Sequence, residues 1–164
     1  MKTIFKFMLP VCAVLAASNA FAEIAEMPTL ANLTQGKKSP DIVHVFIEIP
    51  KGSNIKYEVD EESSLLFVDR FLNVPMAYPG NYGYIPNTKG GDGDALDGIV
   101  VGCPAVTPGS VIKAHPIGVL MTEDEKGMDE KIILIPVDKL HPEHKGIKTY
   151  KNLPENIIEQ IKHF

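Results

Sequence analysis

From Val43 to Ile49 apolar residues recur at every second position: Val43, Val45, Ile47 and Ile49 point one way, His44, Phe46 and Glu48 the other. A period of two demands a strand with one buried face, because no helical stripe follows that spacing. The pattern returns downstream. Ile55, Tyr57 and Val59 share a face opposite Lys56 and Glu58, and Leu66, Val68 and Arg70 line one side of a strand over 65–70. Turn residues at 50–54 and 60–64 separate these runs. Further strands are predicted at 99–102, 111–120 and 131–137, with 122–130 joining the last two. Pro154 then opens a helix whose apolar stripe is Ile157, Ile158, Ile161 and Phe164. Many short strands, few helices and no internal repeat predict a mainly β (α+β) fold, a small closed or partly closed barrel with flanking helices.

The two ends bound the folded part. Lys2 and Lys6, an apolar run over 7–17 and the small-x-small triplet Ala20-Phe21-Ala22 make residues 1–22 a secretory signal peptide, cleaved before Glu23. An uncleaved N-terminal anchor is the alternative; the run is too short for a typical membrane span. Residues 23–164 then form one domain, irregular over 23–40. Export would place it in the periplasm or outside the cell, and uncleaved protein in a cytosolic fraction would rule that out. Losing Lys2 and Lys6 takes the formal net charge from −5 to −7, a poor match for a nucleic-acid backbone. Cys12 leaves with the leader and Cys103 alone can form no intrachain disulfide, so the core, a metal or oligomerisation must supply the stability. Cys103 follows Ile99-Val100-Val101 and is expected to be buried. The apolar stripe of the last helix runs to Phe164 without a Gly, Asn or Pro stop, which predicts a chain truncated at its C-terminus.

Residues 71–98 contain no long periodic segment but hold Pro75, Pro79, Pro86, Tyr78, Tyr82 and Tyr84. A long structureless stretch in a compact domain is usually functional or disordered, and its aromatic content argues against disorder. Near its end Asp92-Gly93-Asp94-Ala95-Leu96-Asp97 puts three carboxylates within six residues, bracketed by Gly90, Gly91 and Gly98. Three like charges this close repel one another unless a cation neutralises them, and hard divalent cations prefer carboxylate oxygen. A solvated acidic turn explains the same residues. A calcium hand does not: with Asp92 first, Leu96 and Cys103 fall where ligands are required.

Other polar residues have ordinary explanations taken singly. Glu48 suits an outward strand position, Lys56 with Glu58 a surface ion pair, Arg70 and Lys131 solvated strand ends, and Asp124 with Asp129 an acidic hairpin around Gly127. Together they spread carboxylates and cations over separate segments. A polyphosphate site needs that mixture, with acids to hold metals, metals to bridge phosphate oxygens, and Lys and Arg to neutralise the rest. The five histidines lack metal-ligand spacing with one another and are expected to be structural or on the surface.

The runs Val45-Phe46-Ile47-Glu48-Ile49-Pro50, Ile55-Lys56-Tyr57-Glu58-Val59-Asp60 and Leu66-Phe67-Val68-Asp69-Arg70 resemble soluble family I inorganic pyrophosphatases. So do Tyr78-Pro79-Gly80-Asn81-Tyr82-Gly83-Tyr84-Ile85-Pro86 and the acidic segment 92–97, all in the family's order over about residues 38–164. The resemblance implies an OB-like five-stranded barrel with helices outside, and Mg²⁺-dependent hydrolysis of pyrophosphate to two phosphates. It implies Asp92, Asp97, Asp124 and Asp129 as metal ligands, with Glu48 and Glu58 in the metal and water shell. Asp94 would hold or deprotonate the attacking water. Lys56, Arg70 and Lys131 would grip phosphate oxygens, and Tyr82 would hydrogen-bond in the site with Tyr78 nearby. Bacterial members commonly form hexamers, so a homo-oligomer is implied, with neither nucleic acid nor, after leader cleavage, a membrane as partner.

The chain departs from the family pattern in three places. Ala95 stands where proline is usual, which should loosen the acidic turn. Gly98 stands where an apolar residue is usual and would add backbone freedom. A Tyr-Lys pair expected just beyond Phe164 is absent, so weaker substrate binding is implied. The rival readings are a pseudoenzyme that binds metal and polyphosphate with little turnover, and a non-catalytic OB-fold module for nucleic acid, which the acidic charge disfavours.

Overall fold

The computed structural model describes residues 30–164 apart from Glu61, Glu125 and Lys126, and apart from the side chains of Ala31 and Asp124. The leader expected over 1–22 lies outside the described residues. The strands are β1 (Val43–Ile49), β2 (Ile55–Val59), β3 (Leu66–Phe71), β4 (Asn81–Tyr84), β5 (Asp97–Val100), β6 (Val111–Asp124) and β7 (Gly127–Pro136). One α-helix follows, α1 (Glu155–His163). Among the described residues no helix is long and apolar enough to cross a membrane.

Five strands close into a ring in the order β1-β4-β5-β7-β6, with β6 returning to β1, while β2 and β3 form a separate hairpin. All ring pairings are antiparallel except β5 with β7. Alternation along the strands makes two cores. Val43, Val45, Ile47, Val100, Ile112, Ala114 and Leu134 cluster together. Their neighbours Ile99, Ile133 and Ile135 pack instead with Ile117, Leu153 and Ile161. The first set comes from β1, β5, β6 and β7 and fills the ring's interior. The second joins the ring's outer face to α1, whose apolar stripe falls where the sequence puts it.

Four features differ from expectation. β4 lies within the stretch read as aperiodic, and β5 begins at Asp97 rather than Ile99. The segment 122–130 is largely the far end of a β6–β7 hairpin, with Thr122 opposite Asp129 and Asp124 opposite Gly127. Gly98 does not loosen the site. It is buried in β5, and a Cβ there would lie 3.1 Å from Val45 Cγ1 and 3.2 Å from Leu134 Cδ1, which already fill the space.

Loop chemistry is held by one buried amide. Asn81 is 0 % exposed. Its Oδ1 accepts from the Lys51 and Val106 N–H groups at 3.1 and 2.7 Å, and its Nδ2 donates to the Pro104 carbonyl at 2.9 Å. Nδ2 also lies 3.3 Å from Sγ of Cys103, a buried free thiol whose pKa burial pushes up. An amide with its donors and acceptor satisfied in the core pins two loops that carry no periodic signal of their own.

Candidate active site

The β5–β7 register sets Asp97 beside Lys131, and residues paired in parallel strands share a face. Asp129, two residues before Lys131, points the same way. Tyr82 on β4 reaches this group across the sheet. The Tyr82 hydroxyl donates to Asp97 Oδ2, and Lys131 Nζ donates to the Tyr82 oxygen at 3.0 Å, to Asp97 Oδ2 at 2.9 Å and to Asp129 Oδ2 at 2.7 Å. All four lie on the ring's outer face, because Ile99 and Ile133, two residues further along β5 and β7, belong to the outer core.

The β2–β3 hairpin supplies the opposite wall. Lys56 pairs with Arg70 and Tyr57 with Val68, so Asp69 is an extra residue on β3. This bulge turns Arg70 onto the face of Lys56 and Glu58 instead of leaving it beside Leu66 and Val68, where simple alternation puts it. Asp69 then lies 3.5 Å from Lys56 Nζ and 3.6 Å from Arg70 Nε, positioning both cations. Lys56 also pairs with Glu58. Glu48 Oε1 accepts from the Val59 N–H at 3.0 Å and ties the hairpin to β1.

The acidic loop closes the remaining side. Its base is the Ile85 N–H donating to the Leu96 carbonyl at 2.9 Å, and Thr88 Oγ1 accepting from the Leu96 N–H at 2.9 Å. Within it the Asp94 N–H donates to Asp92 Oδ1 at 3.0 Å, and the Gly91 N–H donates to Glu130 Oε2 at 3.2 Å. Asp92 and Asp94 are exposed, whereas Asp97 is half-buried at the start of β5. Phe164 completes the wall, its ring 4.6 Å from that of Tyr78, which in turn lies 5.2 Å from Tyr82.

One cavity of about 450 Å³ is lined by Glu48, Lys56, Glu58, Arg70, Tyr78, Tyr82, Asp92, Asp94, Asp97, Asp129 and Lys131. Thus eleven of the twelve residues named from sequence share a single hollow. The twelfth, Asp124, sits at the hairpin end, and its side chain lies outside the described residues. Sequence reasoning gave no site role to Glu130 and Phe164, which line the cavity, or to Asp69, which pairs with Lys56 and Arg70. Phe164 read only as the end of an apolar stripe, which was the one usable signal. The histidines stay out of the site. His44 and His115 bond to the carbonyls of Thr34 and Asp41, and His141 stacks on His144.

Burial sets the electrostatics. It pushes Glu48 up to about 7 against its bond from Val59, with Asp97 adding to the rise. Burial likewise lifts Tyr78 to about 12, and burial followed by the charge of Asp97 holds Tyr82 far above the ordinary phenol range, so its hydroxyl stays a donor. For Lys131 burial acts to lower the pKa, but its bonds to Asp129 and Asp97 outweigh it and the ammonium is held above its ordinary value.

The Glu48 shift has a measurable consequence. Folded protein holds this proton between about pH 4.5 and about 7 while unfolded chain has lost it. Stability of the metal-free protein therefore falls as pH rises through that window, by up to about 3 kcal/mol. In Glu48→Gln the amide oxygen can still accept from Val59, and nothing titrates. Urea unfolding in EDTA should then show a flatter pH profile and a gain over the parent at pH 8. An unchanged slope would mean that Glu48 is not the group responsible.

The donor set tests what the cavity can hold. Its carboxylate oxygens suit a hard divalent cation. Among the described residues no three of them already converge at the spacing of one ion, and the Lys131 ammonium fills the gap between Asp97 and Asp129. The residues fit a cation that can replace it.

Acids and cations mixed on the facing walls of one polar hollow beside a closed strand ring define an enzyme-type site suited to a small, highly charged substrate. The chain belongs to the inorganic pyrophosphatase family, whose model matches residues 45–164. It is 51 % identical over 135 residues to the inorganic pyrophosphatase of Gluconobacter oxydans, covering 82 % of this chain and 78 % of that protein. The Helicobacter pylori inorganic pyrophosphatase structure matches with a TM-score of 0.73 at 51 % identity, over 76 % of this chain and 73 % of that one. The Thermus thermophilus structure matches with a TM-score of 0.78 at 39 % identity, over 83 % and 77 %.

Proposed function

We propose that this chain hydrolyses inorganic pyrophosphate to two phosphates with Mg²⁺ as cofactor, and that its five-stranded ring is an OB-like barrel. The observation that carries the reading is the shared cavity, which gathers residues from β1, β2, β3, β4, β5, β7 and the acidic loop. Asp92, Asp97, Asp124 and Asp129, with Glu48 behind them, would hold the cations. When bound, divalent cations neutralise phosphate oxygens and lower the pKa of the attacking water.

The chain's own groups do the rest. Lys56 and Arg70 face the cavity from one hairpin and neutralise the substrate's remaining charge without covalent chemistry. Asp94, on the exposed loop, takes the proton of the attacking water. Tyr82, held protonated, keeps Asp97 oriented through its hydroxyl. Tyr78 and Phe164 exclude bulk water from that side of the cavity.

The test is phosphate release from pyrophosphate. Mg²⁺ should start it and EDTA should stop it, and Asp94→Asn should slow it by roughly 100-fold with the fold intact. Metal binding with no phosphate release by the parent protein would instead identify a binding protein that has lost turnover.

A further inference from the structure

Lys131 is spent on the wrong partners for a group that grips substrate. Its ammonium has three donors, and among the described residues its contacts within 3.0 Å are to Asp97, Asp129 and Tyr82. None is left for a phosphate oxygen. The two carboxylates that hold it are also those the site offers to a divalent cation. An ammonium and a metal ion cannot share one gap, and a bare gap would leave two acids facing each other. We propose that Lys131 is a resident counter-ion between Asp97 and Asp129, and that an entering divalent cation evicts it and so frees its ammonium for the substrate.

This rests on the pyrophosphatase reading and adds an order of events. Without metal the lysine keeps the acids in place and the cavity neutralised. With metal it becomes an available cation, so the substrate-gripping charge appears only once the bridging charge is present. Binding of the two is then coupled, and the coupling is reciprocal. The consequence has an unusual sign. Removing a substrate-binding lysine should tighten metal binding in the absence of substrate, while it slows hydrolysis. A lysine that only touches phosphate would change metal affinity no more than any other cavity charge does.

Loss of any positive charge from the cavity also favours a cation, so Lys56→Met serves as the comparison. Lys56 lines the same cavity but pairs with Glu58 and Asp69. The experiment titrates metal-stripped protein with Mn²⁺, without pyrophosphate, and follows free Mn²⁺ by its electron paramagnetic resonance signal. Lys131→Met should bind on the order of tenfold more tightly than the parent, and Lys56→Met should differ by less than about threefold, within a general charge effect in a solvated cavity. Lys131→Gln, which keeps donors for the two acids, is the second variant should the first fail to fold, and it should shift the same way. Equal or weaker binding in the folded Lys131 variant overturns the proposal, as does equal tightening in Lys56→Met. If the parent protein neither binds Mn²⁺ nor releases phosphate, the pyrophosphatase reading itself falls, an outcome distinct from either.

Discussion

Asp97→Asn is expected to lower kcat for pyrophosphate hydrolysis on the order of 1,000-fold while leaving the protein folded. Asp97 is where the site converges: the Tyr82 hydroxyl and the Lys131 ammonium both bond its Oδ2, and β5 holds it between β4 and β7. Asparagine has the same shape and keeps an acceptor oxygen. It loses the charge, and a neutral amide is a much weaker ligand for a hard cation. Lys131 retains Asp129 at 2.7 Å, so the local structure has a remaining anchor. The loss should therefore fall on metal affinity and turnover rather than on stability. Phosphate release at saturating pyrophosphate, Mn²⁺ titration and urea unfolding separate these. Turnover within tenfold of the parent would show that Asp97 does not hold the cation.

Gly83→Ala should cost more than about 4 kcal/mol, a large part of what a domain of this size has. The reason is backbone, not flexibility. A Cβ at position 83 would lie 1.8 Å from the Phe46 carbonyl oxygen and 3.0 Å from Ile47 Cα. Those atoms belong to β1, so no rotamer change can make room. The β1–β4 seam would have to open, and with it the strand that carries Tyr82. Gly98→Ala is the internal comparison. There the new methyl meets side-chain carbons of Val45 and Leu134 at 3.1 and 3.2 Å, which can shift, and about 1–2 kcal/mol is expected. Urea denaturation of both variants checks the pair. Similar stabilities would mean that the β1–β4 contact yields more readily than its geometry implies.

Elements with strong periodicity were legible in the sequence. β1 and β2 fall within a residue of where alternation puts them, and α1 carries the predicted stripe, with Ile161 buried, Ile157 and Ile158 half-buried and Phe164 just past its end. β4 was not legible. It is four residues long, its inward positions are Asn81 and Gly83, and an amide and a glycine give no apolar signal. The β6–β7 extension was also hidden, since Thr122, Glu123 and Asp129 look like loop residues when no core lies behind them. Site residues came through because several charged types recurred in a family's order, not because spacing alone joined them. The bulge at Asp69 left no mark on the pattern, so the sequence could not show that Arg70 turns towards Lys56.

Alternation alone settled that this chain is built mainly of strands, and local motifs resembling those of a known family, rather than composition, named the candidate site residues. These are local properties, decided by side chains within a few residues of each other. Only the tertiary structure decided that the site lies on the outer face of the ring, that a bulge turns Arg70 into it, and that Lys131 sits between Asp97 and Asp129. Each of those depends on strand register, and register is set by packing between segments far apart in the chain.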